Sequence, residues 1–275
     1  HASRWLLIEH PGPWAKDPLD TPPLLGQLGG EVESLCGAFQ GKVLLVRRPG
    51  SRPASDAAMQ WFAVDTVHRT WVRGTWRTVG DLTAAARSMG SELAVSEVDA
   101  PRMVLVCTHG TRDACCAVRG RPIVAALARE WPDEVWECTH LGGHRFSGTI
   151  LSLPHGACFG RLDTDTAPRV LTGHHEGRTD ARYLRGVTRY EPAVQAAVAA
   201  VLRAYGPARV ADAERAVVVD DGAGRTTVEV LGDGPVPDRC VVEVVEEALP
   251  DAPLSCGAQP KPHTAFHTSV TVAGG

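Results

Sequence analysis

Two pairs of ligand-type residues, Cys107-x8-Cys116 and His140-x3-His144, constrain this chain more than any other feature. They stand in the stretches VLVCTHGTRDACCAVRG and VWECTHLGGHRF, where each pair follows an apolar, strand-like run and enters a glycine-containing loop. Strand ends that open into loops are where folds commonly place groups that bind something. Two thiols and two imidazoles form the ligand set of a [2Fe-2S] cluster in the Rieske potential class, where two histidines replace two cysteines on one iron. The same four side chains suit a tetrahedral zinc ion. Either use requires a fold that brings the two segments together.

Composition narrows the setting. At 275 residues the chain has room for one large or two ordinary domains, and 44% hydrophobic with 22% charged residues is the balance of a globular protein. A net charge of −4 gives no general case for nucleic acid or an anionic membrane surface. No apolar run approaches the roughly 18 residues of a membrane span, so neither membrane nor nucleic acid is an expected partner. The eight cysteines are scattered through the chain without a secretory context. That favours metal or redox use in a cytoplasmic protein over a disulfide framework. Cys36, Cys138 and Cys158 read as small buried hydrophobes.

The pattern of elements is α/β in three parts. Residues 1–98 read as an N-terminal α/β part, with strands at Arg4–Glu9, Lys42–Val46, Gln60–Val67 and Thr70–Trp76 and helices around Leu24–Phe39 and Val79–Leu93. Residues 99–206 carry the chemistry. Strands are expected at Val104–Cys107 and Val135–His140, a helix at Arg121–Trp131, a hairpin across His155-Gly156, a polar insertion over Thr172–Gly186 and a helix at Pro192–Tyr205. That order is the order of a thioredoxin-like fold, and the N-terminal part has the element order of a degenerate unit of the same kind. Residues 207–275 read as a β-rich C-terminal extension with strands at Arg215–Val219, Thr226–Leu231 and Val241–Val245, ending in a tail that bears prolines and histidines.

Spacing explains why the four residues suit a metal group. Positions His140 and His144 are four apart, so one helical turn or a compact loop lets both imidazoles converge. Gly142 and Gly143 between them permit close backbone approach. In the loop from Cys107 to Cys116, Gly110 and short polar residues can aim amide N–H groups at sulfur, which raises a cluster's potential. The adjacent Cys115 and Cys116 point apart, so only one of them faces a shared site.

The segments CTHGTRDACCAVRG and ECTHLGGHRF resemble the sucrase/ferredoxin-like family, whose members carry a thioredoxin-like ferredoxin domain. The family's C-x-H-x-x-R-D-x-x-C and H-x-G-G-H patterns fall on Cys107, His109, Arg112, Asp113, Cys116, His140, Gly142, Gly143 and His144. The resemblance covers about residues 30 to 165, and the Trp5–Glu9 opening also fits bacterial relatives. It implies a [2Fe-2S] cluster on Cys107, Cys116, His140 and His144, selecting Cys116 over Cys115. His109, Arg112, Gly142 and Gly143 would surround the cluster without binding it. With two thiolates the oxidised cluster site is neutral, where four would make it a dianion. Its expected potential is therefore in the range of roughly −150 to +300 mV rather than about −400 mV. Electron uptake should be coupled to a proton on a histidine ligand.

The implied function is one-electron transfer. No Gly-x-Gly-x-x-Gly joins a strand to a helix, so the chain is not expected to bind a nicotinamide, and a separate electron-donor reductase is implied. The sequence does not identify the acceptor. Two other uses remain open: a zinc-stabilised binding module on the same four residues, and a thiol oxidoreductase using Cys115–Cys116 or Cys107. The oxidoreductase lacks a C-x-x-C motif. No carboxylate pair suited to glycoside chemistry is evident.

Overall fold

A computed structural model describes residues 1–24, 26–51, 58–90 and 101–273, with the side chains of Gln27, Leu28 and His144 outside the description. The chain divides into two compact units, Ala2–Gly156 and Ala157–Gly275, the latter including His1. That division cuts within the segment 99–206 read as one domain.

The first unit is built on β1 (Arg4–Glu9), α1 (Gln27–Ala38), β2 (Gly41–Arg47), β3 (Met59–Asp65), β4 (Thr70–Trp76), α2 (Val79–Ser88), β5 (Met103–Cys107), α3 (Ala114–Leu127), β6 (Val135–Cys138) and β7 (Ile150–Leu153). Its strands lie in the order β4-β3-β1-β2-β6-β5-β7. Strand β1 runs parallel to β2 and antiparallel to β3; β5 runs parallel to β6 and antiparallel to β7. A β-α-β pair with an antiparallel third strand therefore occurs twice, and the first copy is complete with β4 and α2. The order β-α-β-β-β-α read from the sequence of the N-terminal part is the order observed.

The two copies join antiparallel at the carboxyl ends of β2 and β6, with Val46 opposite Cys138 and Arg47 opposite Glu137. The seam matters for function, because open α/β sheets bind ligands outside the carboxyl ends of their strands. Here the carboxyl ends of parallel strands from both copies meet.

Alternation along the strands builds the core. Trp5 and Leu7 of β1 join Leu44, Val46, Phe62, Leu105, Trp136 and Leu151 on one face. On the opposite face Leu6 and Ile8 join Leu45 and Ala63 under α1 and α2, which supply Val32, Cys36 and Leu82, with Met89 just past the end of α2. Leu6, Leu7 and Ile8 are fully buried, and burial of each such side chain stabilises the fold by about 1.5–3 kcal/mol.

The second unit contains β8 (Ala157–Phe159), α4 (Thr166–His175), β9 (Leu184–Val187), α5 (Pro192–Tyr205), β10 (Arg215–Gly222), β11 (Arg225–Leu231), β12 (Arg239–Pro253) and β13 (Pro260–Val272). Strands β10 to β13 form an antiparallel meander in chain order. Their buried alternating residues, Val228, Val230, Cys240, Val242 and Val244, belong to strands that pack on α5, which buries Val194, Ala197, Val198, Val201 and Leu202.

Several expected boundaries move. The polar insertion at Thr172–Gly186 comprises the end of α4 and most of β9, and the tail is the long strand β13. Helix α3 starts at Ala114 rather than Arg121. The part of the expected Val79–Leu93 helix beyond residue 90 lies outside the described residues. No helix among the described residues is long and apolar enough to cross a membrane.

Candidate metal centre

Every residue of β5 is buried, and the strand delivers Cys107 to its carboxyl end at 3% exposure. The chain turns through Thr108–Arg112 and enters α3 at its N-cap, Asp113. The early start of α3 puts Cys116 in the first turn of the helix. Gly120 lets this helix press on the strand end: a Cβ there would lie 2.1 Å from the Cys107 carbonyl oxygen.

The second segment leaves β6 through Thr139, whose N–H donates to the Leu45 carbonyl at 2.9 Å and whose hydroxyl accepts the Leu45 N–H at 3.0 Å. His140 follows. Gly142 and Gly143 then turn the chain with φ of +83° and +68°, a left-handed conformation that accounts for glycine at both positions. A short 3-10 turn spans His144–Phe146, and the His144 side chain is outside the described set.

These paths bring three of the expected ligands together. The ligand atoms of Cys107, Cys116 and His140 lie within 4.8 Å of one another. His140 faces the thiols through Nδ1, 3.6 Å from the Cys116 sulfur and 4.0 Å from the Cys107 sulfur. Its other nitrogen, Nε2, is 3.5 Å from Oδ2 of buried Asp113.

The two thiols are shifted in opposite directions. Cys107 is held well below the ordinary thiol range by its bond to the Cys116 thiol, by the neighbouring His140 ring and by the backbone N–H groups of His109 and Leu141, against the cost of burial. Cys116 is pushed up by its bond to Cys107 and by burial. Backbone donors from both loops thus converge on one sulfur, as the first loop's composition suggested for one of them.

His109 is a clamp. Its Nε2–H donates to the Ala15 carbonyl at 2.7 Å, and its Nδ1 accepts the His140 backbone N–H at 3.3 Å. Burial lowers its pKa, keeping the ring neutral. The segment His10–Ala15 becomes a strap beside the site. The Thr111 hydroxyl donates to the Trp14 carbonyl at 3.0 Å, and the Arg47 guanidinium lies 4.2 Å from the centre of the Trp14 ring. Arg47 pairs with Glu137 at 2.7 Å, and Glu137 also accepts the Thr108 hydroxyl at 2.7 Å.

Other expectations resolve individually. Arg112 is exposed, and Asp113 directs its carboxylate to His140. Cys115 is half-buried, and its carbonyl accepts the Ser147 hydroxyl. Cys36, Cys138 and Cys158 are buried, and burial pushes the Cys36 thiol up to about 12. In the C-terminal sheet His267 and His263 sit opposite Val245 and Leu249, Cys240 sits opposite Val272, and Cys256 is exposed. They form no ligand group among the described residues.

Sequence reasoning missed the strap and the orientation of Asp113. Ala15 and His109 are 94 positions apart, a pairing no local pattern encodes.

The model of the sucrase/ferredoxin-like family matches residues 1–186. The chain belongs to this family. The family match spans the whole first unit and every residue of the candidate centre. Among curated proteins none matches the chain. Two solved structures, both cysteine-to-serine variants of the thioredoxin-like [2Fe-2S] ferredoxin from Aquifex aeolicus, are similar at 12% and 13% identity. Each alignment covers 30% of this chain and 96% of the ferredoxin, with TM-scores of 0.28 and 0.27.

Proposed function

We propose that this chain is an iron-sulfur electron carrier holding one [2Fe-2S] cluster on Cys107, Cys116, His140 and His144. The convergence of two thiols and the Nδ1 of His140 within 4.8 Å, at the carboxyl ends of paired parallel strands, carries the reading. The fourth ligand rests on the four-residue spacing and on the family pattern.

The donor set fits such a group. Cys107 is disposed to ionise and already accepts two backbone N–H groups, the kind of donor that stabilises sulfur on reduction. Cys107 and Cys116 are buried while His140 is partly exposed, which makes the histidine side the route toward a partner. When bound, the cluster supplies reversible one-electron chemistry at a potential that two histidine ligands raise to roughly −150 to +300 mV. The residues supply the frame: α3 fixes Cys116, the His109 clamp fixes the backbone of His140, and the strap shields that clamp. A proton accompanies the electron through a histidine ligand, an electron-donor reductase supplies the electron, and the acceptor is a separate molecule.

One observation favours a second reading. The separations of 3.6 and 4.0 Å from His140 Nδ1 to the two sulfurs are near the roughly 3.3–3.8 Å edge of a tetrahedron with bonds of about 2.0–2.3 Å, so a structural zinc in a binding module is the alternative. Iron, acid-labile sulfide and zinc analysis of anaerobically purified protein separates the two. Matched iron and sulfide support the carrier; one zinc without sulfide supports the module. A reduction potential that stays flat between about pH 6 and 10 would remove the proton coupling, since a shift crossing neutral pH is what an ionising imidazole gives.

A further inference from the structure

Asp113 occupies the N-cap of α3, where an aspartate ordinarily accepts an N–H of its own helix and contributes about 1 kcal/mol. Its side chain makes no such bond. The carboxylate is instead buried, at 1% side-chain exposure, with Oδ2 3.5 Å from Nε2 of His140. On the far side of the same ring, Nδ1 is 3.6 Å from the Cys116 sulfur and 4.0 Å from the Cys107 sulfur.

A neutral imidazole carries one proton, and the partner of one nitrogen decides which face offers a lone pair. We propose that Asp113 is a positioning residue: its carboxylate accepts the Nε2–H of His140 and so presents the bare Nδ1 to the two thiols. The competing arrangement places the proton on Nδ1, where it would donate to the Cys107 sulfur and leave that nitrogen unable to bind a metal. A buried acceptor on the Nε2 side removes that alternative. Carboxylate–histidine–metal pairs work this way, and losing the carboxylate typically costs about 10–100-fold in metal affinity. The orientation is a property of the chain alone; only its consequence for iron rests on the function proposed above.

The test uses the full-length, cluster-free protein labelled with nitrogen-15 histidine, with tautomers read from long-range proton–nitrogen correlations. His140 should show only the Nε2–H form. In Asp113→Ala, and in Asp113→Leu, which removes the acceptor while filling the space, the Nδ1–H signal of His140 should emerge. His109, held by Ala15, should keep its Nε2–H form and so report an intact loop. With metal loaded, both variants should lose it to a chelator about 10–100-fold faster. The proposal is overturned if the native His140 carries Nδ1–H, or if both variants keep the Nε2–H form. It is also overturned if His109 changes with His140 in both, since Asp113 would then hold the loop rather than the ring. None of these readings depends on whether the native metal is iron.

Discussion

The ring of His109 accepts the backbone N–H of His140 at 3.3 Å and donates from its other nitrogen to the carbonyl of Ala15 at 2.7 Å. One neutral side chain therefore ties the histidine loop to the cysteine loop and to the N-terminal strap. In His109→Leu the His140 N–H and the Ala15 carbonyl, both on half-buried residues, lose their partner, at about 1 kcal/mol for each hydrogen bond. Urea unfolding of the cluster-free protein should show that loss. An unchanged midpoint would contradict the clamp.

Cys115 and Cys116 are neighbours with different surroundings. Cys116 shares the site with Cys107 and His140, while Cys115 is half-buried and outside that group. Cys115→Ser should retain native metal content, whereas Cys107→Ser and Cys116→Ser should lose most of it. Metal loss in Cys115→Ser equal to that in Cys116→Ser would show that the wrong thiol has been assigned.

Gly120 offers a test of opposing magnitudes. Alanine in a helix interior is favoured over glycine by about 1 kcal/mol. Its Cβ, however, would stand 2.1 Å from the backbone oxygen of Cys107, so α3 must shift. Overpacking of this kind costs about 1–3 kcal/mol, and the clash should win. Gly120→Ala should melt at lower temperature and hold metal less tightly. A stabilised variant would mean that α3 moves freely over the strand end.

Acid should weaken the N-terminal half through Asp65. Burial, the largest influence, pushes this carboxyl up, but the backbone N–H and ring of His68, the N–H of Val67 and the Arg4 guanidinium outweigh it and leave its pKa lowered. A depressed folded-state pKa adds stability that is complete above the unfolded value of about 3.9 and is lost as pH falls through the folded one. Below about pH 4, Asp65→Asn should therefore lose less stability than the native chain. Parallel acid limbs for the two proteins would contradict the assignment.

Much of this architecture is legible in local pattern. Helix α5 spans Pro192–Tyr205 as its apolar spacing and opening proline indicate, and β4 spans Thr70–Trp76 as its alternation does. Strand β13 is harder to read, because Pro260 and Pro262 suggest a tail; its pairing with β12 orders it. The start of α3 is hidden by its composition, since Ala114-Cys115-Cys116 shows no amphipathic spacing and the apolar signal begins only near Ile123. Cys107, Cys116 and His140, which the fold brings together, can be singled out in the sequence. The strap and the carboxylate behind His140 cannot, since contacts such as Ala15 with His109 exist only once distant segments have folded together.

The visible absorption and the EPR spectrum of anaerobically purified protein, after reduction with dithionite, test the central claim most directly. The account predicts a red-brown protein whose reduced spectrum has the low average g of a cluster with mixed cysteine and histidine ligands, altered in His140→Cys and in His144→Cys. A colourless protein carrying one zinc per chain would contradict it and leave a structural binding module.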